Sequence, residues 1–360
     1  VEPKNKSQRR HNENNKIHDL KNMLMNIVLH SSDSFSPILS VSIVSILENN
    51  KDIESICIYV IENKIPDSRK NLIKGMVSNY PNTSIEFIQM PDINKEFGLG
   101  LKQIKSIWLF DSYCRLFLGT ILPKTIEKVL YLDSDTLCNG SLRELYNTPL
   151  DDNYFAGVAD CLGENYYKLF NLEQGTTYCN SGVALLNLKQ WRIDNIESKV
   201  SDYVRKRNGY VFFMEQSVLN IICQHKVVVL PPKYNTYTLM KSFIYKDLLR
   251  LRHCKRFYTE KQINDATENP VIIHLTNSFY VKGRAWVKGN GHPYSYIYQR
   301  YKALTPWKDE QLFNDNTPLP KALLGSLIRI LPQSIICSIV GFVYNIWRPY
   351  SISKKSSIKA

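Results

Sequence analysis

The sequence predicts an α/β fold built on a mostly parallel sheet buried on both faces. Two observations lead there. Short apolar runs alternate with helix-like stretches between residues 25 and 130. The 360-residue chain is also 44% hydrophobic and 22% charged, enough for one large globular domain or two ordinary ones. A third observation says where to look for function. Asp133 and Asp135 follow directly on the apolar run Val129–Leu132, and ligands of open α/β sheets sit at the carboxyl ends of strands.

Residues 1–24 are polar and rich in Asn and Lys, with no apolar stretch of the kind a signal peptide needs. They predict a mobile extension, with Met25 opening the folded unit. NIVLH (26–30) then reads as a strand. In SVSIVSILENN (40–50), Val41, Val44, Ile46 and Leu47 suit one face of a helix. SICIYVI (55–61) and SIEFIQM (84–90) are strands flanking a polar helix near 67–79, and SIWLFDSYCRLFLGTIL (106–122) reads as helical before the strand KVLYLD. Beyond it come YFAGVAD (154–160), the run CNSGVALLNLKQWR (179–192), a helix-like segment over 195–223, KVVVLPPKYN (226–235) and the short strand VIIHL (271–275). Neither glycine-rich phosphate-loop pattern occurs, so a bound nucleotide needs something other than a helix N-terminus to neutralise its pyrophosphate. A metal ion can do that.

The net charge of +13 is concentrated at the ends: residues 1–24 carry +3 and residues 321–360 carry +6, leaving +4 between them. No aromatic-interleaved basic groove is visible, so basic ends facing an anionic surface fit better than nucleic-acid binding. Eight scattered cysteines without a C-x-x-C argue against a zinc knuckle or a disulfide framework and predict a reducing, cytosolic setting. The tail 322–347 is apolar but interrupted by Arg329, Pro332 and Gln333. Its longest uninterrupted stretch, Ile335–Tyr344, is half of the ~20 residues a membrane span needs. Leu323, Leu324, Leu327, Ile328 and Leu331 recur at helical spacing, and Trp347, Arg348, Lys354, Lys355 and Lys359 follow. That pattern predicts an interfacial helix on a membrane surface; the alternative is a terminal helix packed on the core.

Asp133 and Asp135, at i and i+2 in extended chain, point to one side and can share an ion. A lone D-x-D is a weak motif. This one gains weight because it is the chain's only example and caps an apolar strand. Carboxylate oxygens suit Mg²⁺ or Mn²⁺. His274, at the end of VIIH, is a candidate third ligand that tilts the choice towards Mn²⁺; alone, a histidine in that position is more often structural.

Five segments in order carry a wider resemblance: MNIVLHSSDSF with SVSIVSILENN; YCRLFLG; KVLYLDSDTLCNGSLRELY; YCNSGVALLNLKQWR with MEQSVLN; and IIHLTNSFYVKGRAWVKGNGHP. Together they span about 25–295 and resemble glycosyltransferase family 8. The resemblance implies a GT-A nucleotide-diphospho-sugar transferase fold and retaining transfer from a UDP-hexose, normally with Mn²⁺. By motif position it makes Asp133, Asp135 and His274 the metal ligands. His30, Ser31, Ser32, Asp33 and Ser34 would line the uridine pocket, Ser134 the ribose, and Arg115 the donor sugar and diphosphate. Asn180, Ser181 and Gly182 would lie beside the donor sugar, Asp160 would hold donor or acceptor hydroxyls, and Gln216 would face the sugar's β-side. An amide is a poor nucleophile, so front-face substitution is favoured, with Glu215 or Asp160 the better nucleophile if a covalent step exists. The chain departs from the family in SSDSF and in HLTN followed by KGRAW. Asn277 there replaces a glycine, and Arg284, or else Lys282, replaces the phosphate-binding lysine.

The expected organisation is the polar extension 1–24, a transferase domain over 25–310 and a basic amphipathic segment over 311–360. The leading reading is a hexosyltransferase moving glucose or galactose to a lipid-linked saccharide of the bacterial surface. It would be docked by its tail on the anionic inner face of the plasma membrane, with no nucleic-acid partner. The alternatives are a protein- or glycogen-priming glucosyltransferase and a non-catalytic membrane-associated binding protein.

Overall fold

The computed structural model describes residues 23–100, 111–255 and 257–357. The head up to residue 22 and the 106–110 portion of the expected helix lie outside the described residues.

Among the described residues ten strands form two sheets: β1 (Leu24–Ser32), β2 (Ser55–Asn63), β3 (Thr83–Gln89), β4 (Lys128–Leu132), β5 (Thr136–Cys138), β6 (Phe155–Ala159), β7 (Cys179–Asn187), β8 (Val227–Leu230), β9 (Thr236–Tyr237) and β10 (Ile272–His274). The large sheet has the order β3-β2-β1-β4-β7-β6-β8, and the small one β5-β10-β9. In the large sheet only β7 is reversed, running antiparallel to β4 and β6; every other pairing is parallel. Both faces are covered. Ile27 and Leu29 of β1 and Leu130 and Leu132 of β4 enter one core, while Val28, Val129 and Tyr131 enter the other. This is why the strands read as unbroken apolar runs and not as alternating ones.

Helix α1 (Ser36–Glu48) is buried nearly all round, not along one stripe. Its serines help make that possible: Ser40 Oγ donates to Ser36 O at 2.9 Å and Ser45 Oγ to Ser42 O at 2.7 Å, so two of its buried hydroxyls are satisfied by the helix's own carbonyls. Ser45 Oγ also accepts from Cys138 N at 2.8 Å, and Asn50 Oδ1 accepts from Leu142 N at 2.7 Å. The helix after β1 thus ties down the chain that follows the D-x-D.

The remaining longer helices are α2 (Asp67–Val77), α3 (Ile196–Arg205), α4 (Met214–Ile222), α5 (Tyr245–Arg252), α6 (Glu260–Glu268), α7 (Ser295–Lys302), α8 (Leu319–Ile330), α9 (Gln333–Phe342) and α10 (Arg348–Ser357). Two helical expectations need correction. The segment 195–223 is two helices, because Asn208, Gly209, Phe213 and Met214 take positive φ and break the ladder between them. The described part of 106–122 is a 3₁₀ run, Ser112–Phe117, followed by one α-turn, Leu118–Ile121.

The helices of the tail differ in how far they are buried. Helix α9 packs its inner face on α5, burying Ile336 and Cys337, and Gly341 lies where a Cβ would be 2.6 Å from Arg250 O. Helix α8 instead leaves Leu319, Leu323, Leu324, Leu327 and Ile330 between 57% and 79% exposed. No described helix is long and apolar enough to cross a membrane.

Candidate active site

At the end of β4 the chain turns sharply. Thr136 N donates to Asp133 O at 3.0 Å, and Thr136 Oγ1 donates to the same oxygen at 2.8 Å. The two aspartates therefore converge through a tight turn, not through the extended pleat expected from their spacing. The turn feeds β5, whose Thr136 pairs with His274 across the antiparallel β5–β10 ladder, and Leu275 N donates to Asp135 O at 2.9 Å. A three-residue strand thus brings a histidine from far along the chain to the carboxylates.

The ligand atoms of Asp133, Asp135 and His274 all lie within 4.8 Å of one another. Each carboxylate has one oxygen held by protein. Asp133 Oδ1 accepts from Arg115 Nη2 at 2.7 Å and Tyr131 OH at 3.0 Å, while Asp135 Oδ2 accepts from Arg284 Nη1 at 2.6 Å. The other oxygens, Asp133 Oδ2 and Asp135 Oδ1, stand 3.7 Å and 3.1 Å from His274 Nε2. His274 Nδ1 faces Asn235 Oδ1 at 3.1 Å, an acceptor that fixes the ring proton on Nδ1 and leaves Nε2 free to ligate. Burial raises the Asp135 carboxyl, but His274 and Arg284 outweigh it and hold the group well below the usual carboxylate range. Burial lowers the His274 imidazole, and Asp135 and Asp133 outweigh that in turn, so its pKa is raised. Two anionic oxygens and one imidazole nitrogen are a donor set that fits Mn²⁺ or Mg²⁺.

Gly182 of β7 closes the cradle, and Asp133 N donates to its carbonyl at 2.8 Å. A Cβ there would sit 2.2 Å from His274 Cε1 and 2.7 Å from Asp133 Oδ2. Gly182→Ala is expected to weaken metal binding by about 10- to 100-fold, the range seen when support of ligating side chains is lost. Calorimetric titration with Mn²⁺ checks this; affinity equal to wild type would show that the three side chains do not act as a ligand set.

Arg115, buried in the 3₁₀ run, ties four elements together. Nη1 donates to Ser181 O at 2.8 Å and Ser181 Oγ at 3.0 Å, Nε donates to Ser112 O at 3.1 Å, and the guanidinium lies 4.5 Å over the Tyr131 ring. Glu215 Oε1 is 3.7 Å away, and its Oε2 accepts from Ser112 Oγ at 2.8 Å.

From His274 a directed chain of hydrogen bonds runs across the floor of the site. His274 Nδ1 gives to Asn235 Oδ1, Asn235 Nδ2 to Asn180 Oδ1 at 2.8 Å, Asn180 Nδ2 to Gln216 Oε1 at 3.2 Å, and Gln216 Nε2 to Asp160 Oδ2 at 3.0 Å. Ser181 N also donates to Gln216 Oε1, at 3.2 Å, and Gly182 N to Asn180 Oδ1, at 3.0 Å. Every amide in this chain is oriented by its neighbours. Asn235 was not among the residues anticipated from sequence; a fully buried asparagine inside PPKYNTY reads there as turn polarity.

At the carboxyl end of β1, Ser134 Oγ donates to His30 O, and His30 Nε2 lies 3.7 Å from Asp111 Oδ2, which accepts from Asn63 Nδ2 at 2.8 Å. Asp111 and Asn63 are further residues that motif reading missed. Ser31 is buried and Ser32 half-buried; Asp33 pairs with Arg69 at 3.3 Å, and Ser34 is exposed. In the 277–284 loop the two cationic candidates separate. Arg284 contacts Asp135, whereas Lys282 is exposed and lines a surface cavity with Tyr280, Asn290 and Arg329. Asn277 is exposed.

Known proteins resemble the chain in sequence and in fold. The sequence profile described as "Glycosyl transferase family 8" matches residues 26–279. A Haemophilus influenzae protein named only at the level of glycosyltransferase is 35% identical over 215 residues, 59% of this chain and 63% of its own length. The lipopolysaccharide 1,2-glucosyltransferase of Escherichia coli is 28% identical over 290 residues, 79% of this chain and 77% of that protein. The crystal structure of galactosyltransferase LgtC with donor and acceptor sugar analogs superposes with a TM-score of 0.64 at 23% identity, over 78% of this chain and 96% of that one. It shares the GT-A fold.

Proposed function

This chain belongs to glycosyltransferase family 8, whose members are retaining glycosyltransferases, and on that premise we propose that it moves glucose or galactose from a UDP-sugar to a saccharide acceptor. The observation that carries the reading is the convergence of Asp133, Asp135 and His274 at one end of a hydrogen-bond chain that reaches Gln216 and Asp160 at the other. Asp133, Asp135 and His274 would hold a divalent cation, Mn²⁺ in preference to Mg²⁺ because one donor is imidazole, and it would supply Lewis-acid stabilisation of negative charge on the departing diphosphate.

The protein's own groups do the rest. Arg115 holds the Asp133 carboxylate and Arg284 that of Asp135. His30–Ser34, with Asp111 and Asn63, is the proposed nucleoside side, and Ser134 the ribose side. Asn277 and Lys282, both exposed, are assigned to the diphosphate side by motif position, and Arg284 is the cation of that loop in contact with Asp135. Asn180, Ser181, Gly182, Gln216 and Asp160 form the sugar side. Gln216 Oε1 is engaged by three donors, Asn180 Nδ2, Ser181 N and Ser181 Oγ, which makes it a still poorer nucleophile, and Glu215 is turned towards Ser112 and Arg115. Both observations support front-face substitution. The bond from the anomeric carbon to the diphosphate oxygen breaks, the acceptor oxygen bonds on the same face, and its proton passes to the departing phosphate oxygen. Asp160 orients hydroxyls and Gln216 stabilises the cationic sugar. The test is release of UDP from a panel of UDP-sugars with Mn²⁺: turnover of one hexose supports the reading, and failure to bind UDP at all contradicts it.

The exposed apolar face of α8, next to a C-terminal segment with six basic residues and no acid after residue 320, fits the surface of an anionic membrane carrying a lipid-linked acceptor. Replacing Leu323, Leu327 and Ile330 together by Gln is expected to weaken binding to vesicles containing anionic phospholipid by about 100-fold or more, from the apolar area lost. Co-sedimentation checks it, and unchanged binding overturns the docking. These point changes are a cleaner test than truncation, because removing α9 would strip the cover from α5.

A further inference from the structure

Gln216 sits in the first turn of α4, and the residues that open that turn are conformationally strained. Phe213 (φ 58°) and Met214 (φ 51°) are both left-handed, and no side chain caps the helix start. Adjacent left-handed residues other than glycine persist only where surrounding packing holds them. Part of that packing comes from the C-terminus. The Phe213 ring lies 5.2 Å from Tyr166 and 6.4 Å from Tyr344, and Arg348 places its guanidinium 4.7 Å over Phe212, 5.6 Å over Phe213 and 5.3 Å over Tyr344.

Tyr344 and Arg348 are themselves anchored through the turn Val343–Trp347, which is π-helical. Such a wide turn shifts its backbone bonds, and side chains reach its carbonyls. Tyr166 OH donates to Tyr344 O at 2.6 Å and Asn165 Nδ2 to Asn345 O at 2.8 Å. Asn345, buried, donates to Leu251 O and Gly341 O, both at 2.8 Å. The same turn touches the loop after Asp160: a Cβ on Gly163 would stand 2.6 Å from Asn345 Oδ1. One C-terminal turn therefore abuts both segments joined by the Gln216–Asp160 hydrogen bond.

We propose that the Tyr344–Arg348 turn is a positioning element of the transfer site, bracing the Phe212–Met214 turn and the Asp160–Gly163 loop from outside the cleft. The inference rests on the reading of Gln216 and Asp160 as sugar-side residues. Two variants far from the ligand atoms test it. Arg348→Ala removes the cation over the aromatic pair, and Gly341→Ala puts a methyl 2.6 Å from Arg250 O and wedges α9 off α5. Hydrogen exchange of residues 209–222 is measured beside the kcat and KM of UDP-sugar turnover. Both variants should speed amide exchange over 209–216 and lower kcat by roughly 10- to 100-fold, the cost of a small misplacement, with KM for the donor unchanged. Arg348→Lys, which keeps a cation over the rings, should recover most of the loss. Unchanged exchange in both variants overturns the brace. Faster exchange with unchanged kcat also overturns it, leaving a purely structural contact. A wild-type protein that shows the exchange pattern but turns over no UDP-sugar contradicts the transferase reading and not the brace.

Discussion

Asp135→Asn is expected to lower UDP-sugar turnover by about three orders of magnitude while leaving the fold intact, because a Lewis acid at the diphosphate contributes several kcal/mol to the barrier. The substitution is nearly isosteric. An asparagine oxygen can still accept from Arg284, which now donates to Asp135 Oδ2 at 2.6 Å, so the 277–284 loop keeps its tether. The site loses one of two anionic oxygens and the charge opposite His274, 3.1 Å away. Steady-state kinetics with Mn²⁺, read beside a thermal unfolding curve, separate the two effects. Turnover within tenfold of wild type would mean that the D-x-D is not where charge is stabilised.

Arg115→Ala should do more damage to the fold than any other change in the site. The guanidinium is buried, pairs with Asp133 at 2.7 Å, lies 3.7 Å from Glu215 and hydrogen-bonds Ser181 O. Removing it leaves Asp133 and Glu215 without the cation between them, Asp133 with only the Tyr131 hydroxyl on Oδ1, and the Ser181 carbonyl without this donor. Breaking a buried pair from one side costs about 3–5 kcal/mol. Chemical denaturation should show a loss of that order, together with loss of turnover. Arg115→Lys should fall between, since an ammonium keeps the charge but cannot span Asp133 and Ser181 as a planar fork does. A loss under about 1 kcal/mol for the alanine variant, the size typical of exposed pairs, would show that these contacts are not coupled.

Much of the parallel half of the fold was legible because strands covered on both faces leave unbroken apolar runs. Ile27–Leu29 and Val129–Leu132 show this directly. The parts that were not legible have local physical reasons. Strand β5 is three residues long, too short for any periodicity, yet it brings His274 to the aspartates. The apolar spacing over Leu116, Phe117 and Ile121 imitates a helix, while the described backbone takes a 3₁₀ course in which Arg115 Nε closes on Ser112 O. Asn208–Gly209 signals a break inside 195–223, but the strain at Phe213 and Met214 has no sequence mark, because neither residue favours positive φ.

In the site, the carboxylate pair stood out by residue type and by its place after an apolar strand. Its partners divide by how much context they need. Asn180 and Gln216 look like ordinary polar residues until the family pattern is laid over them, and the structure then joins them at 3.2 Å. Asn235, which orients both His274 and Asn180, carries no signal in isolation. Lys282 and Arg284, two cations two residues apart, are distinguished only by which one the loop turns towards Asp135.

The central claim is that Asp133, Asp135 and His274 form a metal site that serves a uridine diphosphate. Calorimetric titration of UDP into the protein, with Mn²⁺ and again with a chelator, tests it most directly. The account predicts UDP binding with Mn²⁺ that is lost on chelation and lost in Asp135→Asn. UDP binding that is the same with and without the metal, or no binding under either condition, would contradict it.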